Sequence, residues 1–142
     1  MRRFELEENG NDLKLILKDI FTLSNYQKVG KVIIKEHFQN MGLFQSFNFF
    51  TANKYLIVKI ECNENKELLK AYINKLFSKQ IFYEVETRLD FIYEIVNLIE
   101  SYSEIGNIEN LYNKPMADLI VLYTLAKNID GDSIKRINAI LK

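Results

Sequence analysis

Cysteine is almost absent from this chain. A single residue, Cys62, among 142 leaves no intramolecular disulfide to form, and a reducing compartment is the simplest setting for such a sequence. Histidine is as scarce, with His37 alone, so one chain cannot assemble a zinc site of the Cys/His type. Tryptophan is missing, proline occurs once and glycine five times, which leaves little material for flexible linkers. Gly10, Gly30, Gly42, Gly106 and Gly131 are scattered singly, so neither glycine-rich phosphate cradle is present, and each reads as a turn or helix-end residue. The longest apolar run near the C-terminus, Leu119 to Tyr123, falls far short of the roughly 20 residues that a membrane span requires. Met1 to Glu8 turns acidic at once and does not read as a signal peptide. No membrane partner and no cofactor are expected, and the expected location is the cytoplasm, or the host cytoplasm if the source is viral.

What is present is an ordinary globular composition, 48% hydrophobic and 27% charged, with a high 13% of aromatic residues, all Phe and Tyr. The excess of Lys over Arg, with abundant Ile, Asn, Phe and Tyr, fits AT-rich coding of the kind found in some bacteria, phages and viruses. At this length a single α+β domain over 1–142 is expected, an antiparallel β-meander in the N-terminal half covered by a mainly helical C-terminal half.

The stretch Phe44 to Phe77 anchors that reading. Phe44, Phe47, Phe49 and Phe50 precede a polar break at Thr51-Ala52-Asn53-Lys54, and Tyr55 to Cys62 completes a hairpin. A helix then spans Glu64 to Phe77, with Leu68, Leu69, Tyr72, Ile73, Leu76 and Phe77 on one side and Asn63 or Asn65 as cap. Upstream, Arg3 to Leu17 alternates around Asn9-Gly10 as a second hairpin, although Leu13, Ile16, Leu17, Ile20 and Phe21 also fit a helix capped by Asp12. The β-branched run Val32-Ile33-Ile34 places a strand in Gly30 to Phe38.

Downstream, Ile81 to Val85 reads as a short strand and Leu89 to Ser103 as a helix apolar over most of its girth. Such a helix must be covered on more than one side or meet a partner. Gly106 marks the end of that element, Pro115 opens a helix over Met116 to Asn128, and Asp132 caps a last helix carrying Ile134, Ile137 and Leu141. These two helices have the outline of a helix-turn-helix, but Asp130-Gly131 and Arg136 stand where the motif needs a glycine followed by an apolar residue and, later, a buried aliphatic. An αα-hairpin is the better reading.

Net charge is zero, yet the signs are segregated: −1 over 1–27, +5 over 28–81, −6 over 82–111 and +2 over 112–142. The plain reading is a set of solvated faces. The sharper one is an acidic docking face of Glu84, Glu86, Asp90, Glu94, Ser101 and Glu104 that meets another protein. The apolar excess of Leu89–Tyr102 or Leu119–Leu125 would suit a homodimer. The runner-up is nucleic-acid binding through Lys28, Lys31, Lys35, Lys54, Lys59, Lys70, Lys75 and Lys79, with sheet Phe residues stacking bases.

Catalytic arrangements are thin. Cys62 with His37, or the carboxylates Glu84/Glu86 and Asp90/Glu94, are the only candidates, and packing and solvation explain each of them more simply. Asp130-Gly131-Asp132 lacks the remaining ligands of a calcium loop. No catalytic or metal residue is therefore assigned. The function expected is that of a small interaction module: an inhibitor, an immunity or anti-defence factor, or a regulatory subunit.

Overall fold

The computed structural model describes residues 3–42, 44–62 and 64–142, and of Phe44 and Gln45 the backbone alone. The fold is α+β: a four-stranded antiparallel sheet in the N-terminal half and mostly helices in the C-terminal half. The chain forms two compact units, Met1–Val85 and Glu86–Lys142.

In the first unit, β1 (Phe4–Asn9) and β2 (Asp12–Leu17) form the hairpin that the alternation predicts, not the alternative helix. Its two-residue loop is Gly10-Asn11, one position later than expected, and Gly10 supplies the positive φ of +64°. After a 3-10 turn at Asp19–Thr22, the chain enters α1 (Ser24–Gln39). This corrects the strand expected over Gly30 to Phe38. Val29, Gly30, Ile33, Ile34 and Phe38 are all buried, a helical spacing that outweighs the local β preference of the branched run.

Gly30 is also no turn residue. A Cβ there would collide with Phe21 Cε1, so its lack of a side chain is what lets α1 settle onto that ring. Because α1 replaces a strand, the sheet is two hairpins joined through β2 and β4, in the order β1-β2-β4-β3, with β3 at Phe44–Ala52 and β4 at Tyr55–Cys62. Leu13, Leu15, Leu17, Leu56, Val58 and Ile60 are fully buried on one face, and Phe47 meets Phe38 of α1 edge-on at 5.5 Å between centroids. The β3–β4 turn places Asn53 and Lys54 at φ of 52° and 69°, the paired left-handed geometry that suits strand twist.

The helix after β4 is α2 (Lys66–Lys75), followed by one π turn, Leu76–Gln80, and then α3 (Ile81–Ile99). Ile81 to Val85 is therefore the first turn of α3 and not a strand. Leu69, Ile73, Leu76, Phe77, Ile81, Phe82 and Val85 are buried at helical intervals straight through the expected break. Leu68 departs from the expected apolar face and is 59% exposed. Asn65 precedes α2 without a side-chain capping bond, and Asn63 lies outside the described residues.

In the second unit, α3 buries Leu89, Ile92, Ile95 and Ile99, and ends there, short of Ser103 and Gly106. The following loop carries a 3-10 segment at Ile108–Asn113, then come α4 (Met116–Ala126) and α5 (Gly131–Leu141). Asn138 pins the loop by donating to Glu104 O at 2.9 Å and accepting from Gly106 N at 3.0 Å, and Asn110 donates to Leu141 O at 2.7 Å. The cap of α5 is Asp130, whose carboxylate accepts from Ser133 N at 2.8 Å, and not Asp132. No helix of the described residues is long and apolar enough to cross a membrane.

Candidate functional site

A helix turns about 100° per residue, which sorts the six expected acidic residues. Glu86, Asp90 and Glu94, together with Tyr93 and Asn97, fall within an arc of about 100° on α3, and all five are exposed. Glu84 points the other way, flanking the buried stripe. It accepts from Gln80 Nε2 at 3.3 Å and lies 2.7 Å from His37 Nε2. Ser101 and Glu104 follow the end of α3 in the exposed loop, so they do not extend the helix face.

Beside this stripe stands α4. Leu119, Leu122 and Ala126 are buried on one side. On the other, Met116, Ala117, Ile120, Val121 and Thr124 are all exposed, with Ile120 at 52% and Val121 at 45%. An amphipathic helix normally turns polar residues outward, and α4 turns aliphatic ones. Phe91 of α3 meets Tyr123 of α4 at 5.2 Å, and the Lys127 ammonium sits 4.6 Å over that Tyr123 ring. The Tyr123 hydroxyl foremost, with the Glu94 carboxylate adding a smaller share, raises the pKa of Lys127 above the ordinary lysine range. Lys127 continues the Met116–Ile120 row by helical spacing, so the apolar stripe of α4 and the acidic stripe of α3 adjoin at that residue.

The eight expected lysines separate into several places. Lys28, Lys31 and Lys35 share one side of α1 without a carboxylate partner among the described residues, and Gln27 donates to Lys54 O at 3.0 Å, which sets the Lys54 turn beside them. Lys59 lies on the outer face of the sheet, 5.1 Å over the Phe50 ring. Lys70 is committed to Glu8 at 2.8 Å, and Lys75 and Lys79 are exposed around the π turn. Of the sheet phenylalanines, Phe47 and Phe49 share the inner face, with ring centroids 5.8 Å apart, and Phe50 takes the outer face.

Sequence reasoning missed one polar constellation. Besides the Glu84 bond, His37 Nδ1 lies 3.5 Å from the Tyr72 hydroxyl, joining α1, α2 and the start of α3. Reading Ile81–Val85 as helix would have set Glu84 on the edge of the buried stripe, where a partner is needed. Chemically, a carboxylate orients one ring nitrogen and a hydroxyl meets the other, the outline of a proton relay. Both ring nitrogens are occupied, and the arrangement serves as a polar clamp between three helices.

Cys62 is buried at the end of β4. Burial first, and the Asp12 charge second, push its thiol above the ordinary range, the opposite of an activated nucleophile. No cluster of three potential metal ligands occurs among the described residues. No protein-family model, curated protein or solved structure matches the chain.

Proposed function

We propose that this protein is an interaction module that docks another protein on the α3–α4 surface of its second unit. The observation that carries the reading is the exposed aliphatic face of α4, Met116, Ala117, Ile120 and Val121. The partner chemistry follows from charge. Glu86, Asp90 and Glu94 share the exposed side of α3, Glu94 acts on Lys127 at the end of the α4 row, and residues 86–142 hold nine acidic against six basic residues, a net −3. The fitting occupant is an amphipathic helix whose apolar row is flanked by Lys and Arg, because complementary charge steers the encounter and apolar burial holds the complex. An inhibitor or regulatory subunit acting in the cytoplasm is the setting that suits it.

The test uses a fluorescent synthetic helix of Leu and Lys, and a matching one of Leu and Glu. The wild-type protein should bind the first and not the second. Ile120→Asp, and separately Glu86→Lys with Asp90→Lys and Glu94→Lys, should each weaken binding by about tenfold or more. Binding unchanged by both variants would sink the reading. A concentration-dependent dimer abolished by Ile120→Asp would make the occupant a second copy of the chain.

A second reading is favoured by Lys28, Lys31, Lys35 and Lys54, which form a basic surface along α1 in the first unit without an ion-pair partner among the described residues. It predicts nucleic-acid affinity that falls steeply with salt as counterions are released. No binding at low salt removes it.

A further inference from the structure

The sheet has two edges, and they differ. β3 carries a register irregularity between Phe44 and Ser46, a device that blunts an edge. β1 pairs with β2 in unbroken register from Phe4↔Leu17 to Asn9↔Asp12. Lys18 N donates to Arg3 O at 2.9 Å, which fixes the phase of that ladder. Glu5, Glu7 and Asn9 then exchange bonds with β2, and the backbone groups of Phe4, Leu6 and Glu8 point away from the sheet. No other element of the described chain takes up those groups.

The side chains of the same three residues line a cleft of about 470 Å³. Phe4, Leu6 and Phe77 supply its apolar surface, and Lys70, Asn74 and Ser78 of the helical layer form the opposite wall. Phe4 and Phe77 are in contact at 5.9 Å, so the floor is formed in the free protein. An open backbone edge and a side-chain cleft therefore run along one strand, on the face that an added strand would fill with every second residue.

We infer that β1 is a strand-addition site for an extended peptide of alternating apolar and basic residues, independent of the helix-docking surface proposed above. Charge selects this occupant. On the outer face of β1, Glu5 is held by Lys18 at 2.6 Å, while Glu7 is exposed, forms no ion pair within 4 Å among the described residues, and has Lys14 of β2 opposite it on its inner side only, which leaves its outer side open to a second cation. A basic residue on the added strand meets Glu7, and its apolar neighbours enter the cleft. A second copy of the chain fits badly. Antiparallel self-pairing about Leu6 sets Glu5 opposite Glu7 twice, and like charges directly opposite destabilise a sheet. The acidic residues thus bar self-association while admitting a basic strand.

The test titrates the full chain with a synthetic peptide of alternating Val and Lys, and with the same peptide N-methylated at every residue, which leaves neither edge able to pair. Amide exchange of Phe4, Leu6 and Glu8 should slow by about tenfold or more at saturation, and β3 should be unchanged. The N-methylated peptide should not bind. Leu6→Pro removes an outward N–H that the sheet does not use, and Asn74→Trp fills the cleft from an exposed position on α2 while leaving the β1 sequence unchanged. Each should weaken binding by about tenfold, with the circular dichroism of Asn74→Trp unchanged. Peptide binding that leaves the three amides unprotected, or equal binding of the N-methylated peptide, overturns the inference. Protection already present without peptide and rising with protein concentration would replace it with self-pairing.

Discussion

The two units treat charge in opposite ways. In residues 1–85, thirteen basic residues face ten acidic ones, and the carboxylates of Glu5, Glu8, Asp19 and Glu84 are each held by a named cation or imidazole within 2.9 Å. In residues 86–142 the balance is reversed, and Glu86, Asp90 and Glu94 line the solvent face of α3. Apolar surface differs in grouping: the exposed Leu23, Leu68 and Tyr83 of the first unit stand on separate segments, while Met116, Ile120 and Val121 of the second share one side of α4. The first unit covers its helix α1 down to a glycine against a ring, whereas the second leaves one side of α4 open. Charge engaged within the chain supports its fold, while open carboxylates beside open aliphatics are what a partner can recognise.

The sharpest way to break this comparison lies within α4. Leu122 is buried, and Leu122→Ala should cost about 2–5 kcal/mol, from lost transfer energy and the cavity left behind. Ile120 stands two residues away on the open side, and Ile120→Gln should shift stability by no more than about 0.5 kcal/mol. Urea unfolding of both variants measures the difference. Equal losses would mean that the open side of α4 is part of the core, and the docking proposal would fall with it.

An intermediate effect is expected at Gly30. Replacing it with Ala gains about 1 kcal/mol of helix propensity but drives a methyl into the fully buried Phe21 ring, which is itself confined by Phe82 at 5.5 Å. Overpacking of this kind costs about 1–3 kcal/mol, so a net loss of up to about 2 kcal/mol follows. A stabilised Gly30→Ala protein would show that the first unit is less tightly filled than this.

The same glycine explains what was legible in the sequence and what was not. Both hairpins could be read because alternation and a left-handed turn are local signals. Val29 to Phe38 misled because Val32-Ile33-Ile34 favours a strand locally, while the deciding facts, burial at helical spacing and the fit of Phe21 onto Gly30, are tertiary. Ile81–Val85 misled for the same reason, since five residues are too few to separate the two periods. That error carried into the candidate site: as a strand it aligned Glu84 with Glu86, and as a helix it turns Glu84 to His37. The acidic character of α3 was visible in composition, whereas the open side of α4 was not, because apolar residues on all sides do not reveal which will be covered. The cleft under β1 had no local signal, being assembled from residues about 70 positions apart in sequence.

The smallest effect tests whether paired charge supports the first unit. Bonds from Lys66 and then Lys70 hold the Glu8 carboxyl at about 2, against an ordinary value of 4.5. A carboxyl whose pKa is lower in the folded state contributes fully above the unfolded value, where it is ionised in both states. As pH falls below about 4.5 the unfolded chain takes up the proton first, and the contribution drains away until about pH 2. The wild-type protein should therefore lose stability over this window more steeply than Glu8→Gln, and the two should converge at its acid end. Because Glu8 is exposed, added salt should narrow the gap at neutral pH. Parallel acid profiles of the two proteins would weaken the comparison from the other side, because the first unit's ion pairs would then be as open to solvent as the carboxylates of α3.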